Sequence, residues 1–280
     1  MKLRSIVLAA AVSIIAVGDA SAADLYTPPP EVLAPVATYN WTGVYAGVVG
    51  GWNRSRGRGH WSMASEMLDP PPGFFVSAQA ETDFRSRGRG ALFGGTVGAN
   101  YQSGRFVFGL EGDLAWTDKS GHGRNSYTQV ATVVTPGPEL TNLSPGVLSH
   151  RWDMNWFGTG RLRAGVTPAD RLLIFGTFGF AAAGVNLKTS NEVDVLTLTT
   201  AKDNTYYGWT AGAGGEYALT PRIRLKADWL YYDLGSESHR TRATLRDVDS
   251  GFATRDFLAT QRTKLDLTGN TFRGGVILAF

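Results

Sequence analysis

Hydrophobic residues alternate with small or polar residues along most apolar stretches of this chain, beginning at Trp41. In the stretch WTGVYAGVVGGW, Val44 and Val48 share one face, whereas Tyr45 and Gly47 share the other. Alternation with a period of two indicates β-strands with two chemically different faces. We predict eight strands, within 41–52, 91–102, 106–117, 155–166, 171–187, 209–217, 223–232 and 272–280. The fifth is apolar on both faces, so the alternation does not fix its register.

The connections between these strands alternate between short and long. Tight turns are predicted at 102–105, 167–170 and 219–222. Long connections are predicted at 53–90, 118–150, 188–204 and 235–268. Short turns at one end and long extracellular loops at the other are typical of an outer-membrane barrel. An even number of strands places both ends of the barrel on the periplasmic side.

The apolar faces of the strands are predicted to point outward, toward lipid. A soluble β-sandwich would show the same alternation with its apolar face buried. Here glycine crowds the polar faces, as a narrow interior requires, and the few charges there nearly cancel. Aromatic residues mark the ends of the apolar faces, where interfacial girdles belong. They are Trp41, Trp52, Tyr101, Phe106, Trp116, Trp209, Tyr217 and Phe280. We therefore predict an all-β fold, an eight-stranded antiparallel transmembrane β-barrel.

Charged residues on the polar faces are predicted to form a buried ionic network in the barrel lumen. They are Glu111, Asp113, Arg161, Arg163, Glu216, Lys226, Asp228 and Arg273. Adjacent strands bring Glu111 and Asp113 beside Arg161 and Arg163, Glu216 beside Lys226, and Asp228 beside Arg273. Eight strands enclose a space that side chains just fill. The network is therefore expected to plug the barrel, and the alternative is a set of solvated surface charges.

The first residues have the features of an export signal. Lys2 and Arg4 precede an apolar run of about 12 residues, too short to span a bilayer, and Ala20-Ser21-Ala22 follows as a cleavage site. We predict a signal peptide over 1–22, a proline-rich periplasmic lead-in over 23–40, and a barrel over 41–280. The expected location is the outer membrane. Phe280 is the predicted signal for the barrel-assembly machinery.

Composition limits the chemistry available to the chain. It has no cysteine and a formal net charge of +3, which is too weak a bias to indicate nucleic acid. All four histidines fall in the predicted long connections, at positions 60, 122, 150 and 239, with no spacing that ties them to a nucleophile or a metal. We predict no enzymatic activity, no cofactor and no metal. Binding of haem or a metal by the loop histidines stays an alternative.

The hexamer RSRGRG occurs twice, at 54–59 and again at 85–90. Both copies lie in the first long connection, so they are expected to continue the hairpin beyond the membrane as its two stems. Arginine donates bidentate hydrogen bonds to phosphates and carboxylates, which line the outer leaflet as lipopolysaccharide. Contact with lipopolysaccharide is therefore predicted, and a solvated, glycine-rich loop is the alternative. The arginines are Arg54, Arg56, Arg58, Arg85, Arg87 and Arg89.

Five segments resemble the RopB family of outer-membrane immunogenic proteins, relatives of the OmpA transmembrane domain. They are WTGVYAGVVGGW, FVFGLEGDLAW, GWTAGAGGEYALT, LKADWLYYDLG and the closing NTFRGGVILAF. The resemblance spans nearly all of 41–280 and preserves the order of the motifs. It implies an eight-stranded barrel, an outer-membrane location, surface exposure and a role in envelope integrity, without enzymatic chemistry.

Two classes of function follow from these observations. The first is a structural surface protein whose partners are outer-membrane lipid, lipopolysaccharide and an unidentified host or extracellular ligand. The second is a small porin-like channel or a haem- or ligand-binding barrel. They differ in whether the lumen is filled or open.

Overall fold

The computed structural model describes residues 39–193, 196–249 and 254–280, which form eight long antiparallel strands. The strands are β1 (Gly43–Met67), β2 (Phe75–Ser103), β3 (Phe106–Val134), β4 (Leu140–Ala169), β5 (Leu172–Val193), β6 (Leu196–Ala218), β7 (Ile223–Asp249) and β8 (Thr254–Ala279). Each strand pairs with the next, and β1 pairs with β8, so the sheet closes into a barrel. The all-β fold and the strand number are as predicted.

The predicted signal peptide and all of the lead-in except residues 39 and 40 lie outside the described residues. In the part of the chain that the structure describes, no helix has the length and apolarity needed to cross a bilayer.

The segments predicted as long loops are strands for most of their length. β1 and β2 stay paired up to Glu66 and Ser77, and the chain turns back only within 68–74. β3 and β4 likewise stay paired up to Val133 and Leu140. The barrel thus continues far beyond the 9–11 residues per strand that cross a bilayer, as a β-structured extension on the extracellular side.

The facing of the membrane-level residues is as predicted. The Leu110 side chain points outward with 61% of its surface exposed, whereas Thr96 points inward and is 3% exposed. The register that the sequence left open is fixed in β5, where Phe178 faces outward and Phe175 faces inward.

Two residues depart from the predicted facing. Trp41, placed in the aromatic girdle from sequence, is fully buried and packs with Tyr39, Val107 and Leu173 at the periplasmic end of the lumen. It precedes β1, so the alternation of the strand does not govern it. The sequence alternation that places Arg161 and Arg163 on the inner face predicts the same face for Asn155. Asn155 is instead exposed, because a bulge between Met154 and Trp156 shifts the phase of β4.

The sense of the alternation reverses between the two levels of the barrel. At membrane level the apolar side chains point out to lipid, but in the extension they point inward and polar residues face outward. The interior of the extension is mainly an apolar core, as in a soluble barrel, with a few buried polar side chains such as Lys119, His150 and Gln261. Its largest fully buried members are Trp61, Phe84, Leu148, Trp152, Met154, Phe157, Tyr206 and Tyr232.

Candidate functional site

The two RSRGRG copies pair with each other across β1 and β2. Arg54 lies opposite Arg89, Arg56 opposite Arg87, and Arg58 opposite Arg85. All six side chains are exposed on the outer face, and we call this set the arginine ladder. The intervening small residues face inward; Gly88, for example, lies so close to the Trp152 ring that a Cβ atom there would clash with it. The stem arrangement predicted for the hexamers is therefore present.

The arginine ladder begins directly above the outer aromatic girdle. Its first rung, Arg54 with Arg89, lies two residues beyond Trp52, which is 56% exposed on the lipid-facing surface. Successive rungs are two residues apart, so the three rungs rise about 13 Å along the strands. The ladder thus begins where the exposed apolar and aromatic outer face of β1 ends.

The strands beside the arginine ladder give it little charge compensation. In β8, Asn270 lies next to Arg54 and Thr268 next to Arg56, while Asp266 lies next to Arg58. In β3, Ser120 lies next to Arg89 and His122 next to Arg87. Like charges directly opposite each other in a sheet are destabilising. Three stacked arginine pairs are therefore an unfavourable arrangement for the isolated protein.

The lumen at membrane level holds a network of charged side chains centred on Glu111. Arg161 donates to its Oε1 atom at 2.5 Å, and Tyr45 donates to Oε2 at 2.7 Å. Arg163 Nη1 lies 3.2 Å from Oε2, and Lys226 also donates to Oε2. The carboxylate of Glu111 therefore contacts three cations and accepts a hydrogen bond from one phenol hydroxyl.

Two further carboxylates complete the upper part of this network. Asp113 accepts from Arg161 at 2.5 Å and from Arg273 at 2.9 Å. Arg273 also binds both oxygens of Asp228, at 2.8 and 2.6 Å. This bidentate pair is the neighbour-strand pairing expected for Asp228 and Arg273.

The lower part of the network differs from the predicted pairing. Glu216 and Lys226 are directly opposite in β6 and β7, but Glu216 accepts from Arg163 at 2.8 Å and lies 3.7 Å from Arg224. Lys226 is instead held by Glu111 and, at 3.6 Å, by Asp228. The side chains reach across the lumen, which strand order alone does not reveal.

All eight predicted lumen residues thus meet in one network, which we call the charged plug together with Arg224. Each of these nine side chains is 2% exposed or less. The sequence pattern had not included Arg224, which stacks on Trp41 with its guanidinium carbon 4.8 Å from the ring centroid, and donates to Tyr39 at 2.7 Å. The sequence signal for Arg224 is its position on the inner face of β7, just after the tight turn at 219–222.

The four histidines do not converge on one site. His60 is exposed and bonded to Asp83 at 2.9 Å, and His239 contacts Asn204. His150 is buried in the extension with its ring centroid 4.2 Å from that of Phe84, and burial lowers its pKa to about 4. Among the described residues, no group of three or more His, Asp or Glu side chains could hold a metal ion. Phe280, the predicted assembly signal, lies on the outer face with 74% of its surface exposed.

Comparison with known proteins places this architecture among outer-membrane proteins. The profile of the outer membrane protein beta-barrel domain matches residues 8–280. The chain is 31% identical over 252 residues to a 31 kDa outer-membrane immunogenic protein of Brucella melitensis, covering 89% of this chain and 92% of that protein. It is 26% identical over 263 residues to a 25 kDa outer-membrane immunogenic protein of Brucella canis, covering 89% and 96%. Among solved structures, the outer membrane protease OmpT of Escherichia coli aligns at 9% identity with a TM-score of 0.38, covering 88% of this chain and 99% of that one.

Proposed function

The chain belongs to the outer membrane protein beta-barrel domain family, and from that membership we propose that it is a structural surface protein whose arginine ladder binds the phosphates of lipopolysaccharide. Its location is the outer membrane, so lipid and lipopolysaccharide surround it. In this proposal the barrel reinforces the envelope by tying lipopolysaccharide to a protein that spans the membrane.

The stacking of like charges in the arginine ladder carries the proposal. Three arginine pairs face each other in register, each a destabilising contact on its own. Multivalent anions lying along the outer face would turn that repulsion into attraction. Guanidinium groups bind phosphate oxygens through two parallel hydrogen bonds, a geometry that lysine does not offer.

The height of the ladder supports phosphate as the ligand. Its first rung follows the girdle residue Trp52 by two positions, so the arginines lie where phosphates of the outer leaflet are expected. The apolar surface below the ladder would contact acyl chains of the same molecule. One lipopolysaccharide molecule can therefore contact the apolar outer surface with its acyl chains and the arginine ladder with its phosphates.

The filled interior supports a structural role over conduction or enzymatic chemistry. The charged plug occupies the lumen at membrane level, and the aromatic core occupies it in the extension. An eight-stranded barrel has an interior that side chains alone can fill. We expect no single-channel conductance from the purified protein in planar bilayers, and steady conductance would favour the channel alternative.

The test of the ladder is a variant in which all six arginines are replaced by glutamine. We expect weaker binding to lipopolysaccharide, with the lost part being the salt-sensitive part, because exposed charges are screened over about 8 Å at physiological ionic strength. The melting temperature in neutral detergent should stay the same or rise, since three repulsive pairs disappear.

A matched control uses other exposed basic residues of the extension. Replacing Arg240, Arg242, Arg262 and Lys264 by glutamine removes four positive charges from β7 and β8, all beyond the last rung of the ladder. Lipopolysaccharide affinity should be nearly unchanged in this variant. Equal affinity in the six-arginine variant and the unmodified protein, at both low and high salt, would refute the proposal.

A further inference from the structure

The extension of the barrel is open along one side, between β6 and β7. The two strands pair from Ala218 with Arg224 up to Trp209 with Asp233, where their pairing ends. Beyond that point β6 remains paired with β5, and β7 remains paired with β8. The residues 196–208 of β6 and 234–249 of β7, which we call the open seam, have no backbone pairing to each other in the described chain. The barrel is therefore closed at membrane level, whereas above that level the sheet is interrupted between β6 and β7.

A glycine bend and a β-bulge in β7 separate the two strands. Gly235 has a φ of +64°, and the register between β7 and β8 shifts between Asp233 and Ser236, which marks a bulge. The side chain of Asp233 accepts from the backbone N–H of Gly235 at 2.9 Å and holds this bend. On the opposite strand, Gly208 packs so closely against the Asp233 carbonyl oxygen that a Cβ atom there would clash with it. β7 thus follows β8 away from β6 at a defined residue.

Both margins of the open seam have the character of exposed strand edges. Residues 201–203 of β6 and 235–238 of β7 are exposed, and neither margin contains proline. Asn204 and His239 bridge the seam through their side chains, 2.6 Å apart at the imidazole Nε2. A strand edge with free backbone donors and acceptors is a template for another strand. Natural sheets protect such edges with proline, bulges, charged side chains or a covering segment. The margins of the open seam carry charged side chains and one bulge, but the backbone donors and acceptors beyond the bulge are not removed by proline.

The margin formed by β7 is also basic on its outer face. Arg240 and Arg242 are exposed there, and the next strand places Arg262 directly beside Arg240 and Lys264 beside Ser238. A strand added to the edge of β7 would place alternate side chains next to Arg240 and Arg242. Opposite charges in such cross-strand positions stabilise the pairing.

We propose that the open seam is a docking site for an extended acidic polypeptide, which adds to the free edge of β7 as a further strand. Backbone hydrogen bonds supply the affinity, and acidic residues at every second position of the peptide lie beside Arg240 and Arg242. A second copy of this chain is disfavoured as the occupant, because its own β7 edge would bring the same arginines into contact with these. The site lies apart from the arginine ladder and does not depend on its function.

The test uses a synthetic peptide of alternating threonine and glutamate, roughly eight residues long and within ordinary strand length. We expect it to bind the full barrel in neutral detergent and to slow amide hydrogen exchange within 236–244. A peptide with lysine in place of glutamate should not bind. Replacing Arg240 and Arg242 by glutamine should weaken binding by roughly twofold to thirtyfold, the range for two cross-strand charge pairs.

Two alternately N-methylated forms of the peptide test backbone recognition directly. One form is methylated at its glutamates and the other at its threonines, so each removes the donors along one edge only. With glutamate held on the outer face, one form should bind like the parent and the other should not bind. Equal binding of both forms would overturn the proposal, because it would mean that side-chain charge alone is recognised.

A cross-link across the open seam tests whether the free edge itself is the binding site. Asn204→Cys and His239→Cys, joined with a short bismaleimide, close the seam, and the chain has no other thiol. The cross-linked protein should lose peptide binding, while the same variant without the cross-linker keeps it. Unchanged binding after cross-linking would overturn the proposal.

Two further measurements distinguish the open seam from the arginine ladder and from a contact between copies of the chain. The variant with six glutamines in the ladder should bind the peptide normally, whatever becomes of its affinity for lipopolysaccharide. Sedimentation should give a monomer in neutral detergent. A dimer that protects the same amides within 236–244 would assign the edge to a second copy and refute the proposal.

Discussion

Removing Glu111 is expected to destabilise the barrel more than any other single change in the charged plug. The plug contains five cations and four carboxylates, and Glu111 contacts three of those cations, Arg161, Arg163 and Lys226. In Glu111→Leu, five buried cations would face three carboxylates. Breaking a buried ion pair costs about 3–5 kcal/mol, and we expect a value near the upper end because three partners are affected.

Replacing Arg161, a cation that Glu111 binds, should reduce stability less than replacing Glu111 itself. Arg161→Met leaves four cations and four carboxylates, so the charges of the plug become balanced even though Asp113 and Glu111 each lose one contact. We expect a smaller loss of stability than for Glu111→Leu. In the double variant, both members of one directly hydrogen-bonded pair become apolar and no new charge imbalance arises, so its loss should be well below the sum of the single losses.

Unfolding in guanidinium chloride of protein folded into lipid vesicles measures these differences, provided that the slope with denaturant stays constant across the variants. The same cycle repeated with Arg163, which keeps Glu216 at 2.8 Å, should give a weaker coupling to Glu111. Additive losses in both cycles, with no coupling above about 0.5 kcal/mol, would refute a dry, interacting plug.

Three further predictions concern facing, pH and packing. Leu110→Arg, on the lipid-facing surface near mid-membrane, should lower the free energy of unfolding by about 2–4 kcal/mol, whereas Thr96→Arg on the inner face avoids this lipid penalty; equal losses in vesicle unfolding would reverse the assigned facing. Burial lowers the pKa of His150 from its ordinary 6.5 to about 4, so the buried imidazole is neutral. Its contribution to stability is therefore complete above pH 6.5 and is lost as the pH falls toward 4, and melting curves of His150→Phe should lack this loss. Gly121→Val would place a Cβ atom 2.5 Å from the Trp152 ring and should destabilise the extension by about 1–3 kcal/mol, seen as protease cleavage there while the membrane-level barrel stays intact.

The sequence predicted the membrane-level barrel well because lipid imposes a simple rule on it. Leu110 and Glu111 are consecutive and point to lipid and lumen, and each is of the type that its surroundings demand. The predicted strand number and facing follow from that rule. Which carboxylate meets which cation did not follow, because side chains such as Lys226 cross the lumen to Glu111 instead of pairing with the residue opposite.

The extension was harder to predict because its alternation has the opposite sense and fewer apolar residues. Within RSRGRG the inward positions are serine and glycine, which leave room for Trp152, a residue distant in sequence. Neither residue type looks like part of a core when read alone. The run from Phe257 to Leu267 does indicate an inward-facing apolar side. Phe257, Ala259, Leu265 and Leu267 are separated by multiples of two residues and are all buried.

The paired strands that continue past the membrane also determine how the height of this surface can change in evolution. A hairpin that gains two residues in each strand rises by about 7 Å along the strand direction and leaves every existing side chain on its former face. A gain of one residue in a single strand would move all later side chains to the wrong face unless a bulge absorbed it. Duplicating an Arg-Gly dipeptide in both RSRGRG segments is therefore among the smallest insertions that preserve the architecture. Surface height, and with it the epitopes accessible to antibodies, can be altered in steps of two residues without changing the part of the barrel that folds in lipid.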